Sequence, residues 1–376
     1  MRIHYIVNAR VPTKKAYSIQ IAKMCEAFIE AGVELELVIP RTLASSSSTF
    51  KDFYGLRVDI PVVALPGPDW YDSGTLAAYF CYLLFMASSF LFLLGKKLRG
   101  RLGTIYTVDL DTFSYTFLPM LGSCAIEIHE AKRDTFATRF FFHRAAHIIA
   151  TNTEIRDALQ AAFKIPGRKI LVEPNGVDAG DFANPVSKQE ARARLNIPVD
   201  AEIAMYAGRF YSWKGLNIVV EAAKRSPEIL WYLVGGEVGA FADATGITEL
   251  PPNLKISGER PFAEIALWLA AADVLVVLGT NENERSRRFT SPMKVYECMA
   301  AGRPMVVSET PALTSIIPRE DAYWYEPDNA SDLSQKVEQA LSLHNTAMTD
   351  RAIAEARQHS WEKRAQRIVG FVAHTL

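Results

Sequence analysis

Residues 2–40 read RIHYIVNARVPTKKAYSIQIAKMCEAFIEAGVELELVIP, and they decide the fold. The first six are a β-rich run. The segment 16–32 then places Ile21, Cys25, Phe28 and Ile29 on one helical stripe and ends at Gly32, a residue suited to the left-handed position after a helix. VELELVIP, 33–40, reads as the next strand. Strand, helix and strand at this length form a βαβ unit, whose strands run parallel.

The same alternation continues along the chain. TIYTVDL, SCAIEIHE, HIIATN and KILVEPNGVD read as strands up to Asp178, separated by helical runs. The polar stretch that follows carries Ser187-x-x-Glu190, a capping box that starts a new helix, and the interdomain linker is placed there. Strands and helices then alternate again through EIAMYAG, GLNIVVEAAKR, ILWYLVGG, NLKISG, FAEIALWLAAA, DVLVVLG, PMKVYECMA and RPMVVS. The reading is α/β, with two successive doubly wound parallel-sheet domains and a cleft between them. At 376 residues the chain is long enough for two cores.

Composition narrows the function classes. Hydrophobic residues make up 49% and charged residues 22%, which excludes broad disorder. With 41 Lys and Arg against 42 Asp and Glu, no global field attracts nucleic acid, so any anion site is local. The cysteines Cys25, Cys81, Cys124 and Cys298 lack paired spacing and read as reduced, buried thiols of a cytosolic protein. The N-terminus has a strand pattern and not that of a signal peptide. Leu76–Leu94 is uncharged across 19 residues and is followed by Lys96, Lys97, Arg99 and Arg101. It reads as a buried or interdomain helix, a helix lying on a membrane surface through 76–101, or a span.

In open parallel sheets, ligands bind beyond the carboxyl ends of the strands. Three such ends in the second half carry candidate chemistry. In YAGRFYSWKG, 206–215, Gly208 and Arg209 follow a strand, and Lys214 precedes a helix. Two cations at a helix N-terminus suit a diphosphate, and a solvated turn with two incidental cations would look the same. In LVGG, Gly235 and Gly236 permit a tight turn or a close approach of ligand. In TSPMKVYECMAAG, 290–302, Thr290 or Ser291 can cap a helix whose N1 position suits Pro292. Glu297 on that helix can accept two hydrogen bonds from a vicinal diol such as a ribose, or pair with Lys294 on a wet face for ~0.2–0.5 kcal/mol.

The order of these segments resembles the C-terminal domain of retaining GT-B glycosyltransferases of the large family four. The resemblance rests on AGRFYSWKGLNIVVEAA, NLKISGERPFAEIALWLAAADVLVVL, FTSPMKVYECMAAGRPMVVSETP and EPNGVD, and covers most of residues 120–365. The Thr-Ser-Pro-Met-Lys run is similar to a subtype of that family. The resemblance implies two Rossmann-like domains facing across a cleft, an acceptor-side domain over 1–180 and a nucleotide-sugar domain over 181–360. The C-terminal helix, 361–376, would pack back on the first domain.

It also implies that Arg209 and Lys214 bind the donor diphosphate and stabilise the leaving group, and that Glu297 binds the ribose hydroxyls. Gly208, Gly235 and the backbone of Ser291, Pro292 and Met293 would line the donor, and His129 would reach the donor sugar. A satisfied core histidine is the other reading of His129. The implied reaction moves a hexose from a UDP- or GDP-linked donor to a hydroxyl of a glycan or lipid-linked acceptor, with retention, in cell-surface polysaccharide or glycolipid synthesis. It needs no metal and no prosthetic group. The apolar helix and its basic flank point to a cytoplasmic location, peripheral at the inner face of the plasma membrane.

The sequence departs from the family at Phe289, where a sugar-reading Glu is expected; Glu282 or Glu284 could substitute. NARVPTKKAYS also lacks the frequent Gly-Gly turn. Asp109-x-Asp111 resembles a metal motif of a different glycosyltransferase fold, and charged loop residues account for it as well. Rival readings are a GT-B epimerase or phosphorylase, and a degenerate protein that only binds sugar nucleotide or scaffolds an assembly.

Overall fold

The computed structural model describes residues 1–42, 50–110, 115–182, 186–343 and 345–373. The chain divides into two compact units, Met1–Glu173 with Trp361–Leu376, and Pro174–Ser360.

The first unit is built on β1 (Arg2–Ile6), β2 (Glu34–Pro40), β3 (Val62–Leu65), β4 (Thr104–Val108), β5 (Cys124–Ile128), β6 (His147–Ala150) and β7 (Ile170–Val172). They form one parallel sheet in the order β3-β2-β1-β4-β5-β6-β7. The quoted βαβ unit is present: the helix Ala16–Glu30 buries Ile21, Cys25 and Phe28, and Gly32 takes φ 79° just beyond it. The helix Trp361–Ala373 packs against this helix and belongs to the first unit.

The second unit contains β8 (Ile203–Ala207), β9 (Leu230–Val234), β10 (Leu254–Ile256), β11 (Val274–Val277), β12 (Met305–Ser308) and β13 (Tyr323–Tyr325). The order is β10-β9-β8-β11-β12-β13, all parallel. Core clusters pack on both faces of this sheet, around Trp268 and Met299 on one and Trp231 and Phe241 on the other. Ser187 caps the helix Lys188–Leu195 by accepting from the Glu190 amide at 3.2 Å, as the capping motif predicts. Two strands, β3 and β13, were not among the strands read from sequence.

The four cysteines are buried free thiols. The apolar stretch forms one helix, Thr75–Leu98, which buries only the stripe Cys81, Phe85, Ser89 and Leu93. Leu76, Phe80, Leu83 and Leu91 are exposed. The helix is long and apolar enough to cross a membrane. Its basic end is fastened by Lys96, whose ammonium lies 2.9 Å from Glu36, and Glu36 is also 2.6 Å from buried His4.

Candidate functional site

Strand order reverses between β8 and β11, so the loops after these strands flank the point where open sheets hold ligands. The glycines there are required by close backbone approach. Gly235 has φ 126°, and a Cβ on it would lie 2.5 Å from the Gly208 carbonyl oxygen. A Cβ on Gly236 would enter the Phe210 ring at 2.4 Å. Gly215 adopts φ 71°, the left-handed region, with Thr280 beyond β11 only 3.1 Å from where a Cβ would stand. The 3-10 turn Ser212–Lys214 packs on the π-helical turn Arg285–Phe289, so the two loops form one surface.

That surface is cationic. Lys214 is half-buried, with its ammonium 4.5 Å from the Trp213 ring centroid. The Arg285 guanidinium lies 4.8 Å from the same centroid, and Tyr211 stacks on the indole at 5.5 Å. Among the described residues, no carboxylate lies within 4.0 Å of the Lys214 ammonium. Desolvation, with a smaller push from the Arg285 charge, lowers its pKa to about 8. Arg209 differs, since its guanidinium meets Glu259 at 2.8 Å with both side chains partly exposed. An exposed pair of this kind is worth ~0–1 kcal/mol and yields readily to a stronger anion.

The helix carrying Glu297 runs Met293–Ala300 and starts one residue later than the sequence suggested. Pro292 is the N-cap rather than N1, because its ψ of 128° is extended, and no side chain caps the helix. Ser291 is held by its carbonyl, which accepts from Asn175 Nδ2 at 2.7 Å. Glu297 is buried, and Lys294 Nζ donates to its Oε2 at 2.5 Å. The i,i+3 pair therefore forms, but on a buried face and not a wet one. Among the described residues, no side chain bonds the other Glu297 oxygen.

Phe289 is buried under the Arg288 guanidinium, which lies 5.3 Å from its ring centroid. Of its suggested substitutes, Glu284 pairs with Arg288 at 3.4 Å, and Glu282 is exposed.

In the first unit, His129 follows β5 with Nε2 2.9 Å from Glu127 Oε1. Glu127 is fully buried; Arg364 Nη2 donates to it at 2.6 Å, Tyr106 Oη at 2.7 Å and Gln20 Nε2 at 2.9 Å. Burial opposes the Glu127 charge, but Arg364 and His129 outweigh it and hold the carboxyl well below its usual range. Burial likewise opposes protonation of His129, yet Glu127 and Asp109 raise its pKa. Asp109 is committed: Lys132 Nζ lies 2.7 Å from its carboxylate, and the His129 amide donates to it at 3.1 Å. Asp111 and the serine run 45–48 lie outside the described residues. Among the described residues, no group of three or more His, Cys, Asp or Glu is gathered to hold a metal.

Arg209, Lys214, Glu297 and His129 stand out in the sequence, whereas Arg285, Asn175, Glu127 and Arg364 emerge from the fold. The cluster of arginines in ERSRRF, directly after an apolar strand, was the available signal for Arg285.

These two doubly wound units define a class. The fold is GT-B, shared over the whole chain with a glycosyltransferase from Rickettsia africae (TM-score 0.75, 14% identity, 100% of this chain and 98% of that one). Anabaena HepE, crystallised with UDP and glucose, matches at TM-score 0.73 and 15% identity over 100% of both chains.

Residues 187–359 match the family model described as glycosyl transferases group 1. The D-inositol 3-phosphate glycosyltransferase of Nocardioides sp. is 28% identical over 254 residues, 59% of this chain and 52% of that protein. Its counterpart in Streptosporangium roseum is 27% identical over 243 residues, 59% and 53%. The chain thus spans about half the length of these curated relatives.

Proposed function

We propose that the protein is a retaining, metal-independent glycosyltransferase that moves a hexose from a UDP- or GDP-linked donor to a hydroxyl acceptor. The observation that carries this reading is the Lys214 ammonium, seated on Trp213 at the strand-order reversal with no carboxylate partner among the described residues. The diphosphate occupies that position. Lys214 and Arg209 stabilise the negative charge that develops on it as the sugar departs, a fixed electrostatic role that takes the place of a cation. Glu297 offers its free oxygen to the ribose diol, and the uncapped amides at Met293 face the phosphates or the sugar. His129, whose pKa Glu127 and Asp109 raise against burial, is the candidate hydrogen-bond donor to the sugar from the first unit. No side chain takes the role of covalent nucleophile.

The acceptor is a lipid-linked or growing surface glycan at the cytoplasmic membrane face. The exposed apolar face of Thr75–Leu98 and the cations Lys96, Lys97, Arg99 and Arg101 suit an anionic lipid surface.

A thermal-unfolding screen against UDP, GDP, ADP and their sugars tests the donor assignment. A donor present at about 100 times its Kd stabilises the protein by ~2.7 kcal/mol. One base and one sugar are expected to stand out, and the absence of a shift with every nucleotide refutes the reading. A second reading, a protein that binds sugar nucleotide without transferring it, draws on buried Phe289, which offers the sugar no polar group.

A further inference from the structure

Arg285 takes no part in the donor contacts assigned to Lys214, Arg209 and Glu297, yet its placement is specific. Its guanidinium and the Lys214 ammonium both lie within 5 Å of one indole centroid, so their separation is no greater than those two distances combined. One diphosphate can meet both. Burial is the main cause of the lowered pKa of Lys214, and the Arg285 charge adds a smaller push, so the two cations sense each other. Among the described residues, no carboxylate lies within 4.0 Å of either group. The nearby Glu284 is engaged by Arg288 instead.

The loop presents Arg285 deliberately. Asn283 Oδ1 accepts from the Arg285 amide at 3.0 Å, and the Thr280 amide donates to buried Ser286 Oγ at 3.1 Å. Phe289, at the far end of the same turn, is sunk in the core. The aromatic residue that stands where a carboxylate was expected thus anchors the turn that carries a cation.

We propose that Arg285, with Lys214, grips the outer phosphate of the donor diphosphate, making the loop after β11 a phosphate reader rather than a sugar reader. This rests on the donor site proposed above. It assigns the loop a ligand, the second phosphate, which bare exposure of an arginine would not.

Isothermal titration of the whole chain with UDP or GDP, whichever binds, and with the corresponding monophosphate tests it. Arg285→Ala is expected to weaken the diphosphate by about tenfold or more, as loss of a charge-assisted contact does, and the monophosphate by less than about twofold. Arg285→Lys should recover part of the loss. Because Arg285 is exposed, its variants should unfold at the wild-type temperature. Equal diphosphate affinity in wild type and Arg285→Ala overturns the proposal, as does an equal loss for monophosphate and diphosphate. If the wild-type protein binds no diphosphate, the donor-site reading itself fails and this proposal falls with it.

Discussion

Lys214→Ala is expected to lower kcat/KM for sugar transfer by roughly 10²- to 10³-fold, the usual consequence of deleting one preorganised charge at a developing anion. The effect should fall mainly on kcat, since the charge on the bridging oxygen grows only as the bond to the sugar breaks. Arg209→Ala should act in the same direction but less strongly, because Arg209 is more exposed and shares its charge with Glu259. The same ammonium predicts a pH dependence. Lys214 is protonated below its pKa of about 8 and neutral above it. A sugar diphosphate keeps its charge through this range, so kcat should be level below pH 8 and decline above it. In Lys214→Arg that decline should vanish, because guanidinium stays charged. Near-normal turnover in both alanine variants, measured by nucleotide release, would remove the two cations from the mechanism.

Arg364→Met is expected to destabilise the first unit by about 3–5 kcal/mol, the range for removing one member of a buried ion pair. Arg364 and Glu127 are both fully buried, and Arg364 also donates to the Glu173 carbonyl at 3.3 Å. Removing the guanidinium leaves the Glu127 carboxylate without its main counter-charge, with only Tyr106, Gln20 and His129 around it. It then either stays charged at high cost or takes up a proton. The sign follows from the depressed pKa of Glu127: the stability it contributes is present above its unfolded value and is lost as the pH falls through the folded one. Arg364→Met should remove that acid-sensitive component. Combining it with Glu127→Leu should recover much of the loss, because the uncompensated charge goes too. Urea unfolding followed by intrinsic fluorescence measures this, and a change below about 1 kcal/mol in the single variant would contradict the account.

How much of this was legible in sequence depended on the range of the interactions involved. The strands β1, β2, β8 and β11 are β-rich runs that a local pattern reveals, and their alternation with helices points to a doubly wound fold. The strand β3 escaped because Pro61 and Pro66 bracket it and argue against a strand, and β13 because its three aromatic residues stand between polar and acidic ones. The helix Val238–Thr245 was missed because it starts just beyond paired glycines, which read as a turn. Pro292 was placed one position too far into its helix, since composition gives no ψ.

Arg209, Lys214 and Glu297 were nominated from sequence because each lies in a segment between a strand and the next one. Glu127 and Arg364 were not, because 237 residues separate them and only the folded first unit brings them together. Arg285 sits between these cases. Its arginine-rich run was visible, but its pairing with Trp213 needed two loops that only the sheet order makes neighbours.

Transfer from a nucleotide diphosphate sugar bound at Lys214 can be followed by incubating the protein with its preferred donor in the absence of acceptor. Slow release of nucleotide diphosphate is expected, abolished in Lys214→Ala, with the free sugar first seen by NMR in the anomeric configuration of the donor. Tight binding of several donors with no release from any of them would contradict transfer and leave a sugar-nucleotide-binding protein.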